Sequence, residues 1–290
     1  VDKEYSYWLY NCKGIGATKV NILLEKFKTP KEVFLATEKE LKSIVKLHEK
    51  DIKAILYRRD TEIIKRNYEQ LHKKGIRFVT KDEMEYPNRL KNIYDSPLAL
   101  YVKGALPQEE KVSIAVVGAR NCSEYGKELA KYFATELARN EINIISGLAR
   151  GVDSYSHIGA LKAGGITYGV LGCGIDICYP AENINLYMDM IEKGGVISEY
   201  GLGISPKPGL FPMRNRIISG MSDGILVIEA KEKSGSLITV DMGLEQGKNV
   251  YAVPGRVNDP LSGGCNNLIK MGAKLVTNPT EILDDFLYSM

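Results

Sequence analysis

No stretch of this chain approaches the ~18 consecutive apolar residues that a membrane-crossing helix needs. The opening VDKEYSYWLY lacks the basic-then-apolar order and the small-residue cleavage site of a secretion signal. Cysteine is sparse and odd in number: five residues, at positions 12, 122, 173, 178 and 265, with no C-x-x-C pair. The expectation is therefore no disulfide framework, no structural zinc and no membrane association, in a reducing cytoplasm. Histidine is scarcer still. His48, His72 and His157 are too scattered for an H-E-x-x-H metal site, so no metal is expected. Two nucleotide signatures are missing as well. After the first strand of the main body the glycines fall at Gly118 and Gly126, not in a G-x-G-x-x-G, and no G-x-x-x-x-G-K-[ST] occurs anywhere. NAD and ATP drop out, and no cofactor is expected.

What is present is an ordinary globular composition: 290 residues, 44% hydrophobic and 26% charged, enough for one large core and a smaller module. The net charge of +3 is unevenly spread. Residues 1–75 hold 17 Lys+Arg against 11 Asp+Glu, and the remainder holds 22 against 25. A basic front end beside a near-neutral body points to an anionic partner, held in the body by local groups and not by bulk charge.

Three stretches differ in pattern. Residues 1–72 read as a small helical domain, with apolar residues at helical spacing in Val20, Leu23, Leu24 and Phe27, and again in Ile52, Ile55 and Leu56. Residues 73–110 form a connector with extended patches at 77–79 and 98–102, broken by Pro87, Pro97, Gly104 and Pro107. Residues 111–290 alternate strand and helix. Strands are expected at 112–117, 142–145, 166–171, 196–198, 225–228, 250–253 and 274–276. Helices are expected at 125–139, 153–163, 183–193, 213–221, 237–246 and 265–272. That beat means right-handed βαβ units and a doubly wound, mainly parallel, Rossmann-like α/β sheet.

Ligands of such sheets bind outside the carboxyl ends of the strands. The segments expected there are rich in small residues beside arginine or lysine. They are Gly118-Ala119-Arg120 after the first strand and Ser146-Gly147-Leu148-Ala149-Arg150-Gly151 after the second. Lys231, Lys233-Ser234-Gly235-Ser236 and Pro254-Gly255-Arg256 follow later strands, and Phe211-Pro212-Met213-Arg214-Asn215-Arg216 enters a helix. Small residues admit the backbone to a phosphate, helix-start N–H groups favour negative charge, and arginine adds a planar fork that can also stack on a base. Several such loops on one edge fit an extended polyanion better than a single phosphate. Arg120, one step past the first strand, is the expected centre of contact.

Other chemistry has less to stand on. Gly220-Met221-Ser222-Asp223-Gly224 matches G-x-S-x-G, but a helix precedes it and a strand follows, the reverse of a nucleophile elbow. Asp153 reads as a helix N-cap. With Glu199 and Glu229 it sits near strand ends, where a metal-dependent nuclease would need several carboxylates around one point. No catalytic residue is expected. Cys173 and Cys178 read as packing residues. In the front module, Lys13-Gly14-Ile15-Gly16 entering a helix is similar to a helix–hairpin–helix turn, while its counterpart at 44–50 has no glycine. Phosphate binding and plain packing or protein contact both stay open for it.

Taken in order, VVGAR (116–120), SGLARGVD (146–153), LGCGIDICYP (171–180), SEYGLG (198–203), FPMRNRIISG (211–220), EAKEKSGSLIT (229–239), QGKNVYAVPG (246–255) and GCNNLIKMGA (264–273) closely resemble the DNA-processing protein A (Smf) family, as does YPNRLKNIYDSPLALYVKG (86–104). The resemblance covers about residues 1–287 and is strongest from 86 on. It implies an extended Rossmann-like domain behind a small SAM or helix–hairpin–helix-like domain. It also implies that the C-terminal winged-helix domain of many members is absent from this chain. The implied function is non-catalytic: binding of single-stranded DNA, its protection, and the loading of a RecA-type recombinase during natural transformation. The implied DNA contacts are Gly118, Ala119, Arg120, Ser146, Gly147, Leu148, Ala149, Arg150, Gly151, Arg214, Asn215, Arg216, Lys233, Ser234, Gly235 and Ser236. A homodimer is implied too, for which the apolar Leu268, Ile269 and Met271 are the expected surface. The competing class is a Rossmann-like phosphoribohydrolase, whose P-G-G-x-G-T segment is replaced here by Lys233-Ser234-Gly235-Ser236-Leu237. A pure protein adaptor is the third.

Overall fold

The computed structural model of the chain describes residues 3–287. Two compact units emerge. One runs through Glu83 and takes in Pro97–Leu100; the other holds Met84–Ser96 and the chain from Tyr101 on.

The first unit is built on the helical spacing of its apolar residues. Helices Lys3–Tyr10, Ala17–Phe27, Pro30–Leu35, Glu38–Lys42, Glu49–Tyr57 and Thr61–Lys73 follow one another, and strand β1 (Arg77–Thr80) closes the unit. Val20, Leu23, Ile52 and Ile55 are buried with Trp8 and Leu9 in one core, while Leu24, Phe27 and Leu56 pack on its edge. Trp8 meets Phe34 edge-on at 5.1 Å. In the hairpin turn Gly14 takes φ +85, which its sequence neighbours could adopt only under strain. Ile15 is buried, and Lys19 is spent on an ion pair to Asp51 at 2.7 Å.

In the second unit the β-branched runs become strands, all but the exposed last one largely buried on both faces. They are β2 (Ala99–Gly104, of which Tyr101 onward belongs to this unit), β3 (Ser113–Val117), β4 (Asn143–Ser146), β5 (Thr167–Leu171), β6 (Gly195–Ser198), β7 (Gly224–Val227), β8 (Asn249–Ala252) and β9 (Lys274–Leu275). Their lateral order is β2-β6-β5-β4-β3-β7-β8-β9. Every pairing from β6 to β9 is parallel, and β2 runs antiparallel to β6 with Tyr101 opposite Ser198. All five residues of β3 are buried, and each fully buried Ile or Val contributes about 1.5–3 kcal/mol. Helices Glu124–Arg139 and Val152–Lys162 cover one face through Phe133, Ala134, Leu137 and Ala160. The fold is thus the expected extended Rossmann-like α/β sheet, with strands and helices within a few residues of their expected bounds.

From β3 the chain steps through β4 and β5 to β6 in one direction, then returns to start again at β7 on the other side of β3. The switch point of the sheet therefore lies between β3 and β7, and a crevice opens outside their carboxyl ends. Among the described residues no helix is long and apolar enough to cross a membrane.

Candidate functional site

The crevice at the switch point is a cleft of about 640 Å3, and four segments distant in sequence wall it. Gly118, Ala119, Arg120 and Asn121 leave β3, and Ala149 and Asp153 come from the joint after β4. Phe211, Arg214 and Asn215 belong to the first turns of helix Leu210–Gly220; Lys231, Lys233, Ser234, Gly235 and Ser236 lead into helix Gly235–Glu245. Neither helix has an acidic residue in its first turn, so both present uncompensated positive ends. The lining carries four cations, Arg120, Arg214, Lys231 and Lys233, against one carboxylate, Asp153. A body with slightly more acid than base thus concentrates positive charge at one place.

Backbone packing shapes the walls. The Ala119 N–H donates to Glu229 O at 2.7 Å and the Val152 N–H to Ala119 O at 3.2 Å, which locks the loops after β3, β4 and β7 together. Gly151 makes the lock possible: its φ is +75, and a Cβ there would lie 2.3 Å from Ala119 O. Leu148 is held at φ +55, a conformation that costs a branched side chain about 1 kcal/mol or more. Among the described residues the N–H groups of Leu148, Arg150 and Gly151 have no protein acceptor, the character of an anion-binding nest.

Arg120 is exposed, and its guanidinium carbon lies 5.5 Å from the Phe211 ring centroid. Tyr179 continues the stack, 5.6 Å from Phe211 at an interplanar angle of 33° and 46% exposed. Cation and rings form a ladder along the cleft. Residue spacing had not singled out Tyr179, and had marked Phe211 only as the head of a basic cluster, not as a contact itself. The available signal was an aromatic residue directly before a proline at a loop-to-helix joint, in Tyr179-Pro180 and Phe211-Pro212.

A profile of the family described as DNA recombination-mediator protein A matches residues 77–287. The chain belongs to that family. The DNA processing protein DprA of Streptococcus pneumoniae is 45% identical over 201 residues, covering 69% of this chain and 71% of its own. Protein Smf of Synechocystis is 32% identical over 288 residues, covering 97% and 72%. The X-ray structure of DNA processing protein A from S. pneumoniae matches with a TM-score of 0.84 at 33% identity, covering 98% of both chains. DNA processing protein A of Helicobacter pylori, solved for its unique single-stranded DNA binding mode, matches with a TM-score of 0.66 at 28% identity, covering 73% of this chain and 96% of its own.

In this member of the recombination-mediator family several of the expected contacts stand back from the cleft. Ser146 is buried and donates to Val116 O at 2.6 Å. Gly147 and Leu148 are buried behind Ala149. Arg150 is exposed and grips Glu182 with both arms, one contact at 2.9 Å. Arg216 is only 5% exposed and faces a different cavity of about 500 Å3, where it meets Glu199 at 2.7 and 2.9 Å and Asp95 at 2.8 Å. Burial works against its charge, and Glu199 with Asp95 together outweigh it, raising its pKa. Pro254, Gly255 and Arg256 line a separate cavity of about 800 Å3 with Ser123 and Tyr125.

Asp153 is not the N-cap that its place in the sequence implied. Gly151 takes that position because its positive φ turns the chain into the helix. The Asp153 carboxylate instead accepts the N–H groups of Gly147 at 3.1 Å and Ala149 at 3.4 Å. Burial pushes its pKa up, against the pull of Arg214 and the two amides. Glu229 accepts the Ser123 N–H at 2.9 Å and the Ser123 hydroxyl at 2.5 Å, and Glu199 belongs to Arg216. The three carboxylates are thus committed to three different partners, and among the described residues no cluster of His, Cys, Asp or Glu could hold a metal ion. Ser222 is buried and donates to Ile218 O at 2.8 Å.

Proposed function

We propose that the cleft binds single-stranded DNA, and that the protein protects incoming single strands and passes them to a RecA-type recombinase during natural transformation in the cytoplasm. The observation that carries this reading is the Arg120–Phe211–Tyr179 ladder beside a cation-lined wall. Free bases stack on such a ladder while phosphates take Arg120, the lysines and the helix-start amides; a duplex keeps its base faces hidden. Membership in a family of DNA recombination mediators supports the hand-over, and the H. pylori relative solved for its single-stranded DNA binding mode supports the ligand.

The role is one of binding, with Gly118, Ala119, Arg120, Ala149, Asn215, Lys233, Ser234, Gly235 and Ser236 nearest the strand. We assign self-association to the face that carries half-buried Leu268 and Ile269 and exposed Met271. A titration comparing an oligothymidylate, a blunt duplex of equal length and a mononucleotide tests the ligand. The single strand is expected to bind at least ~10-fold tighter than the duplex. Equal or tighter duplex binding refutes the reading, and release of a free base from the mononucleotide would install the phosphoribohydrolase alternative.

A further inference from the structure

Arg214 lines the cleft, and by position it would pass for another phosphate ligand. Its surroundings assign it different work. Its side chain is 4% exposed, and its Nη1 donates to two carbonyls at once, Gly147 O at 2.6 Å and Val170 O at 2.5 Å. Its Nε reaches Asn215 Oδ1 at 3.2 Å. One guanidinium therefore ties the loop after β4 and the end of β5 to the helix that carries Phe211. Gly147 is held through both of its peptides, its carbonyl by Arg214 and its N–H by Asp153 at 3.1 Å. Leu148, the next residue, sits at φ +55 and needs such a hold. The fit leaves no spare room: a Cβ on Gly147 would lie 2.2 Å from Arg214 Nη1. A free arginine tip could swing away from a methyl group, but this one is pinned by two carbonyls.

We infer that Arg214 is a positioning residue, which holds the Gly147 peptide and so presents the 146–151 loop to the strand, and is not itself a phosphate ligand. This rests on the reading of the cleft as a single-strand site. Charge and shape separate the two roles. Losing a phosphate ligand makes the plot of log affinity against log salt shallower by about 0.7 for a single strand, whereas losing a positioning residue lowers affinity at constant slope.

The test is fluorescence anisotropy of a labelled oligothymidylate over a range of salt, with affinity referred to folded protein and melting measured in parallel. Gly147→Ala removes no charge yet displaces the guanidinium; it should bind about tenfold more weakly at wild-type slope. Arg214→Met should match it in both respects. Arg214→Lys, which keeps the charge but cannot span two carbonyls, should recover little, and it stands in should the methionine variant not fold. A slope shallower by about 0.7 in Arg214→Met overturns the inference. So does full affinity in Gly147→Ala, and so does a loss of melting temperature with unchanged affinity per folded molecule. Failure of the underlying reading looks different: the wild type itself does not bind the oligonucleotide, or Arg120→Ala leaves binding untouched.

Discussion

Arg120 and Arg214 share a cleft wall, but one is exposed beside an aromatic ring and the other is 4% exposed between carbonyls. Arg120 has no ion pair among the described residues, so truncating it leaves no buried charge behind. Arg120→Ala is expected to cost about 2–4 kcal/mol of single-strand affinity, ~30-fold or more, with melting unchanged. Arg120→Lys should recover part of the loss, since it restores charge without a planar face. Full recovery would remove stacking from the account, and unaltered binding in the alanine variant would remove Arg120 from the site. His157 gives a second residue-scale outcome. It is fully buried with Nδ1 against Thr167 Oγ1 at 2.6 Å, and burial together with the charge of Arg214 pushes its pKa from 6.5 down to about 3. Below pH ~6.5 the unfolded chain takes up a proton that the native imidazole refuses. Its contribution is therefore whole above that pH and falls by about 1.4 kcal/mol per unit as the pH drops toward 3. Urea unfolding at pH 7 and pH 5 should show the wild type losing roughly 2 kcal/mol more than His157→Gln. Asp153, with its pKa raised, acts in the opposite sense but is present in both proteins and cancels. Equal losses in the two would show that His157 is not the titrating group.

At the scale of elements, the interlocked loops after β3 and β4 make the site a joint property of two crossovers. Gly151→Ala places a methyl group 2.3 Å from Ala119 O and forces φ +75 on a residue with a Cβ. The expected cost is on the order of 3 kcal/mol, or roughly 6–12 °C in melting temperature, with single-strand affinity lowered as well. A melting temperature within a degree or two of wild type would mean that the loops do not interlock. The strands and helices of the second unit were legible because β-branched runs and helical periods alternate without a break. The loop clusters were legible because small residues beside arginine mark βα joints. What spacing could not show was direction. Arg214, Asn215 and Arg216 are consecutive, yet on a helix their side chains diverge by about 100° each, and the last turns to Glu199 and Asp95 in another cavity. Arg150 likewise spends its fork on Glu182, 32 residues away, which no local pattern announces. Short helices were the other gap: Asn88–Lys91 has 4 residues, too few for a period.

For the molecule as a whole, charge and binding part company. From residue 76 on, the chain holds 22 Lys+Arg against 25 Asp+Glu, yet the cleft offers its ligand Arg120, Lys231 and Lys233, with the buried Arg214 behind them, against one carboxylate. With three or four phosphates neutralised, log affinity should fall with log salt at a slope of roughly −2 to −3. A flat response would mean that the cleft's basic groups do not face phosphate. The helical unit also contains the chain's single tryptophan, Trp8, 4% exposed and edge-on to Phe34. Tryptophan emission is consequently a built-in optical label for that unit's core alone. The Rossmann-like unit has no tryptophan and is silent in that signal. A denaturation followed by that emission reads the core of the helical unit in the unmodified chain, with no contribution from the other unit.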